Sequence, residues 1–401
     1  MASAALKWLL LLLVIVFVCV DAFLIPAKVS SFPRLHATQQ RSNERKGFNL
    51  LELGIPGGQG LLVTLAKWGW SFIYNRLLVE LAPQDENGAY ARTGYNIKSG
   101  NLGDENFPIE QGRYHIYVGN PCPWCHRVQL AHTLYGLQDI ISMSLVADDP
   151  TKARRGGWYF SDDKKDPIWN EPDLLAVYNR CNPVDKNEQF VGRCTLPLLI
   201  DTKTQTIVSN ESKDIVRMLR AASRGPDLAS DDLHDAMDNL QSFVYEKINN
   251  GVYRCGFSSK QAAYDEAVKD VFEGFFMIDE ALAKTKFLHG DKVTETDIFL
   301  LPTVVRFDAI YHQFFKCGLT TIESSYPNIK RWMEDMHVIP GIRKCFDLND
   351  AKRSYHKQLF PLNPSGIVYA TQERNYLNML DRIVEDKEAS KNSIDLNVKF
   401  L

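Results

Sequence analysis

The chain has 401 residues, 45% of them hydrophobic and 24% charged, which is enough apolar material for one large or two medium domains and excludes wholesale disorder. With 46 Lys and Arg against 49 Asp and Glu the formal net charge is -3, so there is no global field to recruit nucleic acid, and no nucleic-acid partner is expected. Eight cysteines are too sparse for a disulfide scaffold and are expected to serve chemistry or core packing.

Residues 1–22 read as a signal peptide: Lys7 is the only charge before an apolar run over residues 8–20, and Val20-Asp21-Ala22 supplies a small-residue cleavage context. That run is shorter than the roughly 18 residues of a membrane span, and a retained anchor is the alternative. Residues 23–43 contain no Asp or Glu, while Lys28, Arg34, His36 and Arg41 lie among Ser30, Ser31, Thr38 and Ser42, a transit-like composition. With Phe23 at the expected new N-terminus, the pair of segments resembles the two-part presequence of algae with secondary plastids. It implies delivery through the ER to the plastid stroma. A secreted or endomembrane protein is the alternative, and it would expose the sequon Asn210-Glu211-Ser212 to glycosylation.

Residues 44–110 form an N-terminal arm. GIPGGQG at residues 54–60 looks like a phosphate loop, but no hydrophobic strand precedes it and no Gly-Lys-Ser/Thr follows, so it reads as a linker. Residues 61–81 are mostly apolar, interrupted by Lys67, Arg76 and Glu80 and crowded with Trp68, Trp70, Phe72 and Tyr74. This suits a helix docked on the body, or in peripheral contact with a membrane, better than a span. The polar stretch 83–108 is expected to separate the arm from the next unit.

That unit covers residues 111–225. It opens with the strand pattern Tyr114-His115-Ile116-Tyr117-Val118 and turns through Gly119-Asn120-Pro121 into Cys122-Pro123-Trp124-Cys125-His126-Arg127. Helical spacing of Val128, Leu130, Ala131, Leu134 and Leu137 follows, closed by Gly136, and residues 140–146 form a second strand. The cysteine motif therefore sits at the strand-to-helix turn of a βαβ unit. A polar insertion over residues 147–188 carries Gly156-Gly157-Trp158-Tyr159-Phe160. Residues 195–201 form a strand with Pro197 near its start, and Thr206-Ile207-Val208-Ser209 leads through Asn210-Glu211-Ser212 into a helix at Ile215, Val216 and Leu219. From Pro226 the pattern is wholly helical, giving a second domain over 226–364 and a tail over 365–401. Ser259 opens one helix, and Thr294-Glu295-Thr296-Asp297 caps another.

A thiolate at a helix N-terminus is stabilised by unpaired N–H groups and the dipole, which makes Cys122 a nucleophile candidate. Pro123 fits the first turn, where its missing N–H is an orphan anyway. Cys125, one turn on, can reach the Cys122 sulfur. C-x-x-C-H also spells c-type haem attachment, but the strands and the Thr-Leu-Pro and Asn-Glu-Ser turns that follow disfavour it. No second C-x-x-C exists and Cys181 and Cys194 have no regular spacing, so no metal is expected. Core packing is the remaining reading of both cysteines.

Over residues 112–369 the chain resembles the glutathionyl-hydroquinone reductases, the Xi-class, omega-like glutathione transferases. The stretches that carry the resemblance are GRYHIYVGNPCPWCHR, GGWYF, TLPLLIDTKTQTIVSNESKDIVRML, INNGVYRCGF, QAAYDEAVKDVF, TETDIFLLPTVVRFDAIYHQFFKC and LNPSGIV. The resemblance implies an α/β thioredoxin-like N-terminal domain joined to an all-α helical C-terminal domain, with glutathione as cosubstrate, no bound cofactor, and a homodimer. Cys122 would be the catalytic nucleophile, and Trp158 would pack against glutathione. Leu196, before a cis Pro197, would offer its backbone to the glutathione cysteinyl group. Glu211 and Ser212 would hold the γ-glutamyl end, or serve simply as a helix cap. Tyr253 and Tyr355 would line the hydroquinone pocket.

Two positions depart from that pattern. Cys125 stands where the family usually has Ala or Ser; it is a possible resolving thiol, and burial with a raised pKa is the favoured reading. The residues before Tyr178 lack the arginine the family commonly uses for glutathione, with Arg180 and Arg193 as substitutes. The expected activity is reduction of glutathionyl-hydroquinones through a Cys122-glutathione mixed disulfide. Dehydroascorbate reduction or general deglutathionylation uses the same thiol, and a non-catalytic transferase-fold binding protein is the rival of another class.

Overall fold

In the computed structural model, which describes residues 58–182 and 188–370, Tyr114–Val118 (β1) is buried at every position rather than at alternate ones. A strand paired on both edges and covered on both faces has no solvent side to encode. Ser142–Leu145 (β2) runs parallel to β1, with Val118 opposite Leu145. Ala147–Asp148 (β3) and Trp158–Tyr159 (β4) form a separate short ribbon in the polar insertion. Leu198–Asp201 (β5) lies antiparallel to β1, and Thr206–Ser209 (β6) antiparallel to β5, which completes the order β2-β1-β5-β6. Pro123–Leu134 (α2) packs on Ser212–Leu219 (α4), while Leu174–Arg180 (α3) follows the ribbon. This is the thioredoxin-like half.

The presequence readings, residues 44–57 and residues 371–401 lie outside the described residues. Residues 1–64 and 65–401 cluster as separate units, and the architecture here is that of the second. The helix Gly58–Leu81 (α1) begins within the expected linker, taking its last three residues. Of its apolar side chains Leu78 is buried, whereas Trp68 is 67% and Phe72 56% exposed. No described helix is long and apolar enough to cross a membrane.

The stretch 83–108 does not act as a separator. It runs along the free edge of β6: Ser99 N–H donates to Val208 O at 2.9 Å, and Ile97 N–H to Asn210 Oδ1 at 2.7 Å. An edge strand presents unpaired donors and acceptors, and this segment satisfies them.

The helical half begins with His234–Phe243 (α5), which passes through a π-helical turn, Val244–Asn249, into Gly251–Phe257 (α6). Gly256 is glycine because a Cβ there would meet the Phe315 ring at 2.1 Å. Gln261–Leu282 (α7) and Glu295–Arg306 (α8) follow, and α8 continues into a second π-helical turn, Phe307–Tyr311. Asp297 closes the capping box of α8 and also accepts from Trp332 Nε1 at 2.9 Å, tying α8 to Pro327–His337 (α9). Leu348–Gln358 (α10) ends the domain.

Candidate active site

β1 delivers the chain through Gly119-Asn120-Pro121 to α2. Gly119 lies beneath the Trp158 ring, 2.4 Å from where a Cβ would stand. Cys122 is the N-cap of α2: its backbone is extended, and its Sγ accepts the Cys125 N–H at 3.4 Å and lies 3.7 Å from Leu196 O. Burial alone would push this thiol up. Hydrogen bonds from the Cys125 side chain and backbone, the charge of Arg306 and the Trp124 N–H outweigh it, and the pKa falls to about 7. Cys125 is fully buried, and burial together with donation of its proton to Cys122 holds it well above the usual thiol range.

Next to Leu196 opens a solvent-open cavity of about 150 Å³, walled by Trp124, Leu196, Pro197, Glu211 and Ser212 and, from the arm, residues 92–96; Cys122 is not itself in the wall but its sulfur lies 3.7 Å from the carbonyl of the wall residue Leu196. The Leu196–Pro197 bond is cis. Glu211 is both cavity wall and N-cap of α4: its Oε1 accepts from Lys213 N–H at 3.3 Å and Ser212 Oγ at 3.2 Å. The sequon residue Asn210 is buried, donating through Nδ2 to Tyr95 O at 2.8 Å.

Neither substitute arginine reaches the cavity. Arg180 is engaged by Glu171 at 2.6 Å, and Arg193 by Leu81 O at 3.2 Å. The cation in the cavity wall is Arg92, whose guanidinium lies 4.1 Å from the Trp124 ring centre; Arg127 lies 4.4 Å from the same ring. Arg127 is buried, which pushes its pKa down to about 10 against the pull of Glu211. Sequence reasoning missed Arg92 because it sits in a stretch read as a separator. Trp158 is not part of this cavity's wall; its ring is occupied over Gly119.

Tyr253 and Tyr355 come from α6 and α10, and their hydroxyls are 2.6 Å apart. A third hydroxyl, Tyr311 in the second π turn, lies 3.1 Å from that of Tyr355. Burial raises the pKa of all three, so they stand as protonated donors. The Tyr253 ring lies 6.3 Å from Trp124, which connects the cluster to the cavity wall. Tyr311 carried no signal of its own in an apolar helical run. Among the described residues, no group of His, Cys, Asp or Glu could hold a metal ion.

A thiol at a helix N-terminus, facing a cis-proline strand and a Glu-Ser turn with a helical half behind, defines the glutathione transferase fold. Family models agree: the glutathione S-transferase N-terminal domain matches residues 121–222 and the C-terminal domain residues 261–335. The chain is 36% identical over 278 residues to the glutathionyl-hydroquinone reductase YqjG of Escherichia coli, covering 67% of this chain and 82% of that one. It is 38% identical over 273 residues to the glutathionyl-hydroquinone reductase PcpF of Sphingobium chlorophenolicum, covering 66% and 84%. Among solved structures it is similar to the Xi glutathione transferase of Phanerochaete chrysosporium, with TM-score 0.65, 32% identity and coverage of 72% and 94%. The glutathione-bound structure of YqjG gives TM-score 0.62 at 34% identity, covering 71% and 90%. The chain belongs to the glutathionyl-hydroquinone reductases, the Xi class of glutathione transferases, and is an enzyme of that family.

Proposed function

We propose that this enzyme reduces glutathionyl-hydroquinones with Cys122 as nucleophile and glutathione as cosubstrate. The observation that carries the reading is the Cys122 thiol itself, held at a helix N-cap with its pKa near 7 and its sulfur 3.7 Å from Leu196 O in the cavity wall. Its thiolate attacks the sulfur of the conjugate, the C–S bond breaks, and the ring carbon takes a proton, for which the Tyr253 hydroxyl is the donor. The resulting Cys122-glutathione disulfide is attacked by a second glutathione thiolate, releasing oxidised glutathione and the Cys122 thiolate. Glu211 and Ser212 suit the γ-glutamyl ammonium and carboxylate, and Leu196 the cysteinyl backbone. Arg92 suits the glycyl carboxylate. Cys125, buried and protonated, acts through its hydrogen bond to Cys122 and not as a resolving thiol.

The three tyrosines favour an aromatic acceptor over dehydroascorbate, and a thiol with a lowered pKa has no use in a purely binding protein. Assays of the protein and of Cys122→Ser with glutathionyl-menadione and dehydroascorbate test this. Turnover of the menadione conjugate, lost in the variant, is expected. A near-normal rate in Cys122→Ser would overturn the mechanism. The composition of residues 1–43 supports delivery to a plastid stroma; a fluorescent fusion of residues 1–45 that is secreted would defeat it. The exposed Trp68 and Phe72 of α1 support peripheral membrane contact, checked by vesicle flotation, and a homodimer is checked by light scattering.

A further inference from the structure

Arg306 ends α8 and is fully buried. Its Nε and Nη2 donate to the carbonyls of Pro121 and Asn120 at 3.3 and 3.1 Å, and its Nη1 to Pro302 O at 2.8 Å. Nη1 also lies 3.1 Å from His126 Nδ1, and the guanidinium sits 3.9 Å from the Phe346 ring centre. Every one of these partners is uncharged. Among the described residues no carboxylate lies within ion-pairing distance of Arg306. A buried cation without a counter-charge is costly, and proteins ordinarily pair one or exclude it. The two carbonyls it holds belong to the residues immediately before Cys122, so the helical half places a fixed positive charge against the turn that carries the sulfur, near enough to draw its pKa down.

Resting on the reading of Cys122 as nucleophile, we infer that Arg306 is a positioning residue whose missing counter-ion is the Cys122 thiolate: it pins the loop that carries the sulfur and offsets the negative charge formed there. The pair is completed each time the thiolate is regenerated. The same charge faces the tyrosine hydroxyls, since Arg306 also acts on Tyr311 and Tyr355. His126 cannot share this work. Its Nδ1 must accept from the guanidinium, and burial first, then Arg306 and His337, keep the ring neutral. The titratable or charged groups facing Cys122 are Cys125 and Arg127 from α2, Tyr253 from α6, Tyr311 from the second π turn, and Arg306 itself. Of these only the two arginines are cations, and only Arg306 holds the preceding backbone.

The test is the pH dependence of Cys122 alkylation by iodoacetamide in the full chain, followed by peptide mass spectrometry. In Arg306→Gln the midpoint is expected to rise by about one pH unit or more, the shift an opposite charge at close range produces. Arg306→Lys, which keeps the charge, is expected to restore most of it. A wild-type midpoint in Arg306→Gln, with only thermal stability reduced, would make Arg306 a structural rivet and overturn the inference. Should Arg306→Gln fail to fold, the Nε–H resonance of Arg306 in the unsubstituted protein serves instead. It is expected to titrate with Cys122 and to stop doing so in Cys122→Ser; a resonance flat through that range overturns the proposal. Retained turnover in Cys122→Ser would defeat the nucleophile reading while leaving the alkylation midpoints to decide the Arg306 pairing separately.

Discussion

The two halves of this enzyme supply the site in opposite ways. In the thioredoxin-like half the functional groups are short contiguous runs, Cys122 to Cys125, Leu196-Pro197 and Glu211-Ser212, each fixed by a helix N-terminus or a strand end. In the helical half they are single residues on separate elements, Tyr253, Arg306, Tyr311 and Tyr355, which meet only through packing. Local backbone geometry therefore makes the proposed nucleophile, and tertiary packing makes its surroundings. Damage to the first half should alter chemistry directly, whereas damage to the second should act through alignment.

The largest test of that contrast is Asp297→Ala. Asp297 is fully buried and accepts from Thr294 N–H and Oγ1 at 2.8 Å, from Leu288 N–H at 3.0 Å and from Trp332 Nε1 at 2.9 Å. Removing it strands four buried donors, and a loss of about 3 to 5 kcal/mol is expected in denaturant unfolding. If the halves are one cooperative unit, Cys122 reactivity falls in the same transition. A loss under about 1 kcal/mol would show that the capping box is not what holds α8 in place.

Tyr311→Phe comes next. It deletes the hydroxyl 3.1 Å from Tyr355 while keeping the ring that stacks on Phe315. A fall in kcat of roughly tenfold with an unchanged KM for the glutathione conjugate is expected, in line with the loss of one hydrogen bond that orders a proton donor. A rise in KM with normal kcat would mean that the cluster binds substrate and takes no part in proton delivery.

How far the site was legible follows the same division. The four strands of the main sheet, the Cys122 turn and the Thr294–Asp297 box could be read because each rests on neighbours in sequence, whereas the cis state of Pro197 came from the family resemblance and the β3-β4 ribbon, inside a stretch read as a polar insertion, was not read at all. Tyr253 and Tyr355 came only from a family resemblance; 102 positions separate them, and nothing in either local pattern announces the 2.6 Å contact. Arg306 and Tyr311 look like ordinary helix positions until the π turn after α8 redirects the chain. Arg92 failed for another reason. A polar stretch of Gly and Asn reads as a linker unless the free edge of β6 that it covers is known, and edge pairing leaves no periodic signature in so short a segment.

Arg92 is accordingly the residue whose removal should hurt binding alone. Arg92→Ala is expected to raise the KM for the glutathione conjugate about tenfold, the value of a charge-assisted hydrogen bond, with kcat near normal. Arg193→Ala, whose guanidinium is turned to Leu81 O, should leave KM alone. Equal effects of the two would show that the arm merely closes the cavity and that neither cation meets the carboxylate.

The smallest expected effect lies at the seam between the halves. Asp238 on α5 accepts from Lys213 and Arg217 of α4, and Arg217 also reaches Glu295 of α8 at 3.3 Å. Burial alone would raise the Asp238 pKa, but the two cations outweigh it and hold the carboxyl at about 2. Because the folded value lies below the unfolded one, the contribution is fully present above about pH 4 and is lost as pH falls toward 2. With 35% of the side chain exposed, solvent screening limits the contribution to about 0.5 to 1 kcal/mol. Asp238→Asn should therefore lower stability by that amount at pH 7, the difference from the parent should shrink as the pH is taken below 4, and added salt should shrink it further. A difference that persists undiminished at pH 2 would mean that Asp238 joins the halves through packing and hydrogen bonding, with its charge irrelevant.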